Sequence, residues 1–333
     1  MQIWNLAISI TNACNLSCKH CYAKAGIKEY KELTLEDIYN IMDEAKRCNV
    51  RFVTLTGGEP IMRPDIWDII RIIKKSGIKV SIATNGILLT EELILRLKQL
   101  DVDRVQISLD GAREATNDCV RGDGTYRKVV KEVVPNLVNA GIFTAFSYTP
   151  TDINVLEIPE VIELAYKLGV NTMSFRRYSN TGRAKINELS MENDQNINML
   201  NMLYEIKKSK KYEKMNITTG DPLFVLCNPE RSEYFDKSII AGCTAGITSL
   251  AIDAIGNIKP CTRANIMLGN IRDDSLHLIW ESNEILKKLR NRNNLSGKCR
   301  NCENKMLCGG CRVAALEENN DIFSEDPNCW LVL

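Results

Sequence analysis

The chain of 333 residues carries 43 basic and 42 acidic side chains, a formal net charge of +1, with 44% apolar and 26% charged residues. That balance argues against nucleic acid or an anionic membrane surface as a partner, and the composition is that of an ordinary globular protein. No apolar run approaches the ~20 residues of a membrane span. The opening MQIWNLAISI lacks the basic head and small-residue cleavage site of an export signal, which predicts a cytoplasmic protein.

In chain order, IWNLAISI (3–10) reads as a strand and three cysteines follow it directly. A helix opens at an N-capping Thr34 and carries apolar residues at helical spacing. RFVTLT (51–56), a helix over 64–76, KVSIAT (79–84), a helix over 90–99 and RVQISL (104–109) come next. A helix over 125–140, FTAFSYT (143–149), a helix over 158–169 and TMSFRRY (172–178) complete six alternations. Repeated βα units with right-handed crossovers predict an α/β fold, a parallel sheet curled into a partial (β/α)6 TIM-like barrel. In such a barrel the chemistry lies on loops that follow the strands. Cys14 to Cys21, GGEP (57–60), TNG (84–86) and SLDG (108–111) all stand there.

Beyond about residue 210 the pattern changes. KKSKKYEKMN (207–216) reads as a solvated helix end and linker. The expected division is a barrel over 1–215, a bridging stretch over 216–240 and a small domain over 241–333. That last part has little apolar material of its own, so it calls for metal staples. Trp280 and Trp330 read as core aromatics.

Thirteen cysteines are the anomaly. Without an export signal they point to metal ligation or catalysis rather than to a disulfide scaffold. Cys14, Cys18 and Cys21 form one group and eight from Cys227 to Cys329 another, while Cys48 and Cys119 stand apart and read as ordinary buried thiols. Soft thiolates select zinc or iron–sulfur clusters. A structural zinc is closed by four protein ligands, and His20, adjacent to Cys21, is a poor fourth. A four-iron cluster held by three cysteines leaves one iron open to a small chelating molecule such as an amino acid.

CNLSCKHCY (14–22), GGEP after the second strand and the SLDG strand end resemble the radical S-adenosylmethionine enzymes. The resemblance implies that the open iron takes the methionyl amine and carboxylate, and that reductive cleavage yields a 5'-deoxyadenosyl radical that abstracts hydrogen from a substrate. It makes Cys14, Cys18 and Cys21 the catalytic cluster ligands. It assigns Gly57, Gly58 and Glu59 to the methionyl amine, Ser108 and Arg121 to the carboxylate, and Asn85 to the ribose side. A carboxylate suits an ammonium and a planar guanidinium suits a carboxylate, so the residue types fit. Asp110 and Gly111 are as well suited to shaping a turn as to touching a ligand. Arg176 and Arg177 are open between a carboxylate site and an ordinary ion pair. NTGRAK (180–185) also resembles a loop of these enzymes, without an assigned role.

The rear cysteines run C-x12-G-x4-C from Cys243 through Gly256 to Cys261, then Cys299-x2-Cys302-x5-Cys308-x2-Cys311, and finally Cys329. The series is similar to the SPASM extension of radical enzymes, which carries up to two auxiliary four-iron clusters. CGGC has two residues between its cysteines where that pattern has three. The resemblance assigns Cys299, Cys302, Cys308 and Cys329 to one cluster, and Cys243, Cys261 and Cys311 to the other, with Cys227 as candidate fourth ligand. Cys227 is also open as a hydrogen donor or a buried thiol, and zinc is open for the whole group.

The expected cofactors are S-adenosylmethionine and three [4Fe-4S] clusters, one radical-generating and two auxiliary. The expected function is an oxidoreductase acting on a ribosomally made peptide by thioether or carbon–carbon crosslinking, oxidation or epimerisation. The first strand begins by about residue 3, so no leader-binding domain is expected ahead of it, and a separate protein would deliver such a peptide. The alternative is a tetrapyrrole-pathway enzyme that decarboxylates or removes porphyrin side chains. A flavodoxin or ferredoxin is the expected reducing partner. A non-enzymatic electron carrier explains neither GGEP nor Arg121.

Overall fold

Seven parallel strands follow one another in space as they do in sequence: β1 (Asn5–Thr11), β2 (Phe52–Gly57), β3 (Lys79–Thr84), β4 (Arg104–Ser108), β5 (Thr144–Tyr148), β6 (Thr172–Phe175) and β7 (Asn216–Thr219). The computed structural model describes residues 2–228 and 242–332. The strands alternate in the way a curled sheet requires. In β4, Val105 and Ile107 are fully buried toward the helices, while Arg104, Gln106 and Ser108 take the inner face.

Helices cover the outer face. α1 (Leu35–Arg47) starts in a capping box, with Thr34 Oγ1 accepting from Asp37 N and the Asp37 carboxylate accepting from Thr34 N. It buries Ile38, Ile41, Met42 and Ala45, one stripe at helical spacing. α2 (Ile66–Lys75) buries five isoleucines, and α3 (Glu91–Gln99) is capped by Thr90. α4 (Glu114–Arg121) lacks a side-chain cap, which is why its sequence carries no start signal. α5 (Thr125–Lys128) continues through a π-turn at Val129–Val133 into α6 (Val134–Asn139). α7 (Ile158–Lys167), the short α8 (Arg183–Ile186) and α9 (Asn193–Lys208) complete the layer.

β7 lies at the start of the stretch read as a bridge, and its pairing with β6 makes it the barrel's last parallel strand. Residues 229–240 of that stretch lie outside the described residues. The C-terminal region joins the same sheet from the other side. β8 (Ser249–Ile252) pairs parallel with β1, and β9 (Asn257–Lys259) and β10 (Gly269–Asn270) follow antiparallel. The helices Leu276–Ser282 and Glu284–Arg290 bury Leu276, Trp280, Leu286 and Leu289 in the barrel's own core. Among the described residues no helix is long and apolar enough to cross a membrane.

Candidate active site

The cysteine loop after β1 rests on the GGEP ridge after β2. Gly58 N donates to Thr11 O at 2.7 Å and Glu59 N to Ala13 O at 2.8 Å. Gly57 has φ +133°, and a Cβ there would lie 2.2 Å from Thr11 O; one on Gly58 would lie 2.1 Å from Ala13 O. Both glycines are therefore required by backbone packed on backbone, before any ligand is considered. Glu59 is fully enclosed. Its Oε1 accepts from Thr84 Oγ1 (2.6 Å) and Ile61 N (3.0 Å), and its Oε2 from Asn85 N (2.8 Å). Burial raises its carboxyl above the usual range against those three donors. Glu59 thus ties the ridge to the end of β3, a role that motif spacing alone did not reveal. Asn85 continues the tie, donating from Nδ2 to Asn15 Oδ1 in the cysteine loop at 2.8 Å.

A second anchor stands after β4. Asp110 Oδ2 lies 2.6 Å from His20 Nε2 and 2.5 Å from Arg121 Nε, the latter a charge contact at an angle too poor for a hydrogen bond. Burial alone would raise the Asp110 carboxyl, but Arg121 and His20 overcome it and hold it down at about 2. Asp110 Oδ1 accepts from Thr149 N, and Arg121 Nη1 points at Cys18 Sγ at 3.8 Å. Gly111 lets α4 close in, since a Cβ would lie 2.5 Å from Asn117 N. Asp110 therefore ties His20 of the cysteine loop to Arg121 of α4; SLDG alone leaves Asp110 open between a turn and a ligand contact, and the sequence presents His20 only as a poor metal ligand. Ser108 ends β4 on the inner face, in register with Ser147.

NTGRAK clasps the cysteine loop from across the mouth. Arg183 donates from Nε to Cys18 O (2.9 Å) and from Nη1 to Ala25 O (2.6 Å), and its backbone N–H donates to Cys21 O. Gly182 has φ +61°, and a Cβ there would meet Cys21 O at 2.3 Å.

The three arginines near the mouth separate by role. Arg183 holds backbone. Arg177 is buried in an ion pair with Asp221 and Asp326. Arg176 faces the barrel interior, donating from Nη2 to Gln106 Oε1 at 2.7 Å and from Nε to Ser147 Oγ at 3.4 Å. Its side chain is accessible although protein surrounds it, because the accessible space is the lumen. Burial and the charges of Arg104 and Arg263 hold its guanidinium down at about 10. Tyr22 also borders the lumen; burial raises its phenol, and Thr262, Cys261 and Cys21 act on it in turn.

Cys299, Cys302, Cys308 and Cys329 line one cavity of about 330 Å³, its open side included. Cys261 and Cys311 both act on Arg263, and Cys243 acts on Cys311. Burial, then the charge of Asp221, pushes the Cys227 thiol up to about 11. None of the thirteen cysteines is in a disulfide; Cys18, Cys48, Cys299, Cys308 and Cys311 are buried, whereas Cys119, expected to be buried, is exposed on α4. Among the described residues no three His, Cys, Asp or Glu side chains converge on single-ion geometry.

Residues 8–165 match the radical SAM superfamily and residues 243–303 an iron-sulfur cluster-binding domain, SPASM. The AdoMet-dependent heme synthase of Methanosarcina barkeri is 31% identical over 97% of this chain and 95% of its own length. The chain belongs to the radical SAM superfamily. The mycofactocin maturase MftC of Mycobacterium tuberculosis is also 31% identical, over 97% of this chain and 82% of its own. Streptococcus suis SuiB, solved bound to precursor peptide SuiA, shares the fold with a TM-score of 0.80 at 21% identity, covering 99% of this chain and 76% of that one.

This radical SAM chain is an enzyme with a SPASM domain, and its cofactors are S-adenosylmethionine and [4Fe-4S] clusters. The residues present fit those groups. Half-buried Arg263 points Nη2 at Cys311 Sγ at 3.9 Å and has no carboxylate within ion-pair distance among the described residues, so thiolate and cluster charge can offset it beside the more distant Glu317. Buried Arg292 likewise donates to Cys243 O at 2.8 Å, with Cys243, Cys308 and Cys299 acting on it.

Proposed function

We propose that this enzyme abstracts hydrogen from a ribosomally made peptide seated in the barrel lumen, making a thioether or carbon–carbon crosslink, oxidising a residue or epimerising it. The observation that carries this reading is that Tyr22 lies within electrostatic reach of both Cys21 of the front cysteine group and Cys261 of the rear one. A substrate there lies between a source of radicals and an acceptor of electrons. The MftC relative acts as a maturase, which supports a peptide. A second reading, porphyrin side-chain decarboxylation or removal, is favoured by lumen arginines without carboxylate partners and by the heme synthase relative.

In either case Cys14, Cys18 and Cys21 would hold the radical-generating cluster. The Gly57–Glu59 segment would bound the methionyl amine, Arg121 and Ser108 the carboxylate, and Asn85 the ribose. Cys299, Cys302, Cys308 and Cys329 would hold one auxiliary cluster. Cys243, Cys261 and Cys311 would hold the other, with Cys227 as candidate fourth ligand; a Cys227→Ala protein that keeps all its iron removes Cys227 from the set. When bound, the cofactor and its reduced cluster supply the hydrogen-abstracting radical. The chain's part is to fix the cysteine loop through Asp110, Glu59 and Arg183, and to present the substrate through the lumen face. Electrons would come from a flavodoxin or ferredoxin.

The test is 5'-deoxyadenosine formation by anaerobically reconstituted protein, expected with about twelve irons per chain. Cys14→Ala/Cys18→Ala/Cys21→Ala should abolish it while keeping the C-terminal iron; retained cleavage sinks the reading. Mass change in a precursor peptide, or in a porphyrin, then decides the substrate.

A further inference from the structure

Arg176 and Arg177 are neighbours in sequence, yet they meet opposite fates. Arg177 reaches two carboxylates and is spent on the fold. Arg176 reaches none: among the described residues no Asp or Glu lies within ion-pair distance of it, and its guanidinium hydrogen-bonds only to the neutral side chains of Gln106 and Ser147. Most of its N–H donors, including both on Nη1, lack an acceptor. Arg104, two residues before Gln106 on the same inner face, is also without a carboxylate and donates from Nε to Ser81 Oγ at 3.0 Å. Two like charges gathered inside a barrel repel each other and lose hydration. A fold that only needed structure would neutralise them, as it does with Arg177.

We propose that Arg176, backed by Arg104, is the seat of a substrate carboxylate inside the barrel. The neighbouring inner-face positions agree with that ligand. Gln106 and Ser147 hold the guanidinium by its Nη2 and Nε, which leaves Nη1 directed away from them for a planar anion. Tyr22 and Cys261 lie within electrostatic reach of Arg176, so a carboxylate held there brings the rest of the substrate near both cysteine regions. Arg176 is a specificity-determining residue in this assignment; it takes no part in cleaving S-adenosylmethionine. The inference rests on the reading that the substrate enters the lumen. The carboxylate could belong to a peptide or to a tetrapyrrole propionate, and the experiment separates those sources.

The test uses the reconstituted full chain with two probe pairs: coproporphyrin III against its tetramethyl ester, and a random heptapeptide pool with free C-termini against the same pool amidated. Binding is read by equilibrium dialysis and mass spectrometry. The wild type should favour one free acid over its masked form by about tenfold or more, and Arg176→Gln should erase that preference. Preference for the porphyrin acid assigns a propionate, and preference for the free peptides assigns a C-terminal carboxylate. Arg176→Lys should recover part of the preference. No preference for either acid in the wild type, or a preference unchanged in Arg176→Gln, overturns the proposal. Uncoupled 5'-deoxyadenosine formation, measured on the same preparations, should be unaffected by the substitution. Its presence beside a lost preference shows that the carboxylate seat has failed while the radical chemistry stands.

Discussion

Arg177 and Asp326 lie 149 residues apart in sequence and form a two-pronged buried ion pair, with Nη1 2.8 Å from Oδ2 and Nη2 2.7 Å from Oδ1. Asp221 shares Nη1 at 3.0 Å, and Asp326 Oδ2 also accepts from Cys311 N at 2.7 Å. One guanidinium therefore joins the end of β6, the turn after β7 and the loop that carries Cys311. Replacing Arg177 by Met strands two buried carboxylates, at a cost of about 3–5 kcal/mol. The expected result is a lowered thermal midpoint and loss of C-terminal iron. Arg177→Lys restores charge without the fork and should recover only part of both. An unchanged midpoint in Arg177→Met would show the pair to be idle.

Gly58→Ala drives a methyl group against Ala13 O, and a backbone oxygen cannot swing away as a side-chain tip can. The cysteine loop must shift to make room. Displacements of ~1 Å at a reacting centre cost about 100-fold in rate. Formation of 5'-deoxyadenosine should fall by roughly that factor, while iron bound by the C-terminal cysteines stays constant. Activity within about twofold of wild type would mean that the ridge tolerates the shift.

Arg183→Ala removes two hydrogen bonds from the cysteine loop, to Cys18 O and Ala25 O. The loop should open more readily and expose its cluster. Faster bleaching of the iron–sulfur absorbance in air, with loss of about four irons per chain, is the expected signature. Equal bleaching rates in variant and wild type would leave NTGRAK without this role.

Asp110→Asn deprives Arg121 of its fully buried counter-charge and alters the hydrogen-bond partner of His20. Arg121 should then swing from Cys18, and S-adenosylmethionine affinity should weaken about tenfold or more, as buried charge pairs usually show when one partner is cut. Calorimetry on the cluster-loaded protein reads this directly. Full affinity would assign Asp110 to folding alone.

Much of this was legible in the residues themselves. The six βα alternations and the strand ends that carry Cys14–Cys21, GGEP and SLDG follow from local pattern and spacing, whereas the grouping of Cys299, Cys302, Cys308 and Cys329 came only from the resemblance to the SPASM extension. α4 was not legible, because it starts without a capping side chain. β7 was hidden because four residues behind a charged run carry too little alternation to stand out. Glu59 looked like a ligand to an ammonium; its three hydrogen bonds within the protein depend on how closely β2 and β3 lie. Cys227 was open between cluster ligand, hydrogen donor and buried thiol, and its nearness to Asp221 is a matter of how the chain turns after β7.

By itself the sequence determined that three thiols share a short loop after a strand, that glycines stand beside them, and that a second cysteine group follows. Those are properties of neighbours along the chain, set by spacing and by local backbone preference. Only the tertiary structure decided between Arg176 and Arg177. Just beyond the end of β6 the two side chains turn different ways, so one meets Asp221 and Asp326 and the other meets Gln106 and Ser147 on the inner face. Charge identity was written in the chain, but charge compensation depends on residues as distant as Asp326, and only closure of the barrel brings them within reach.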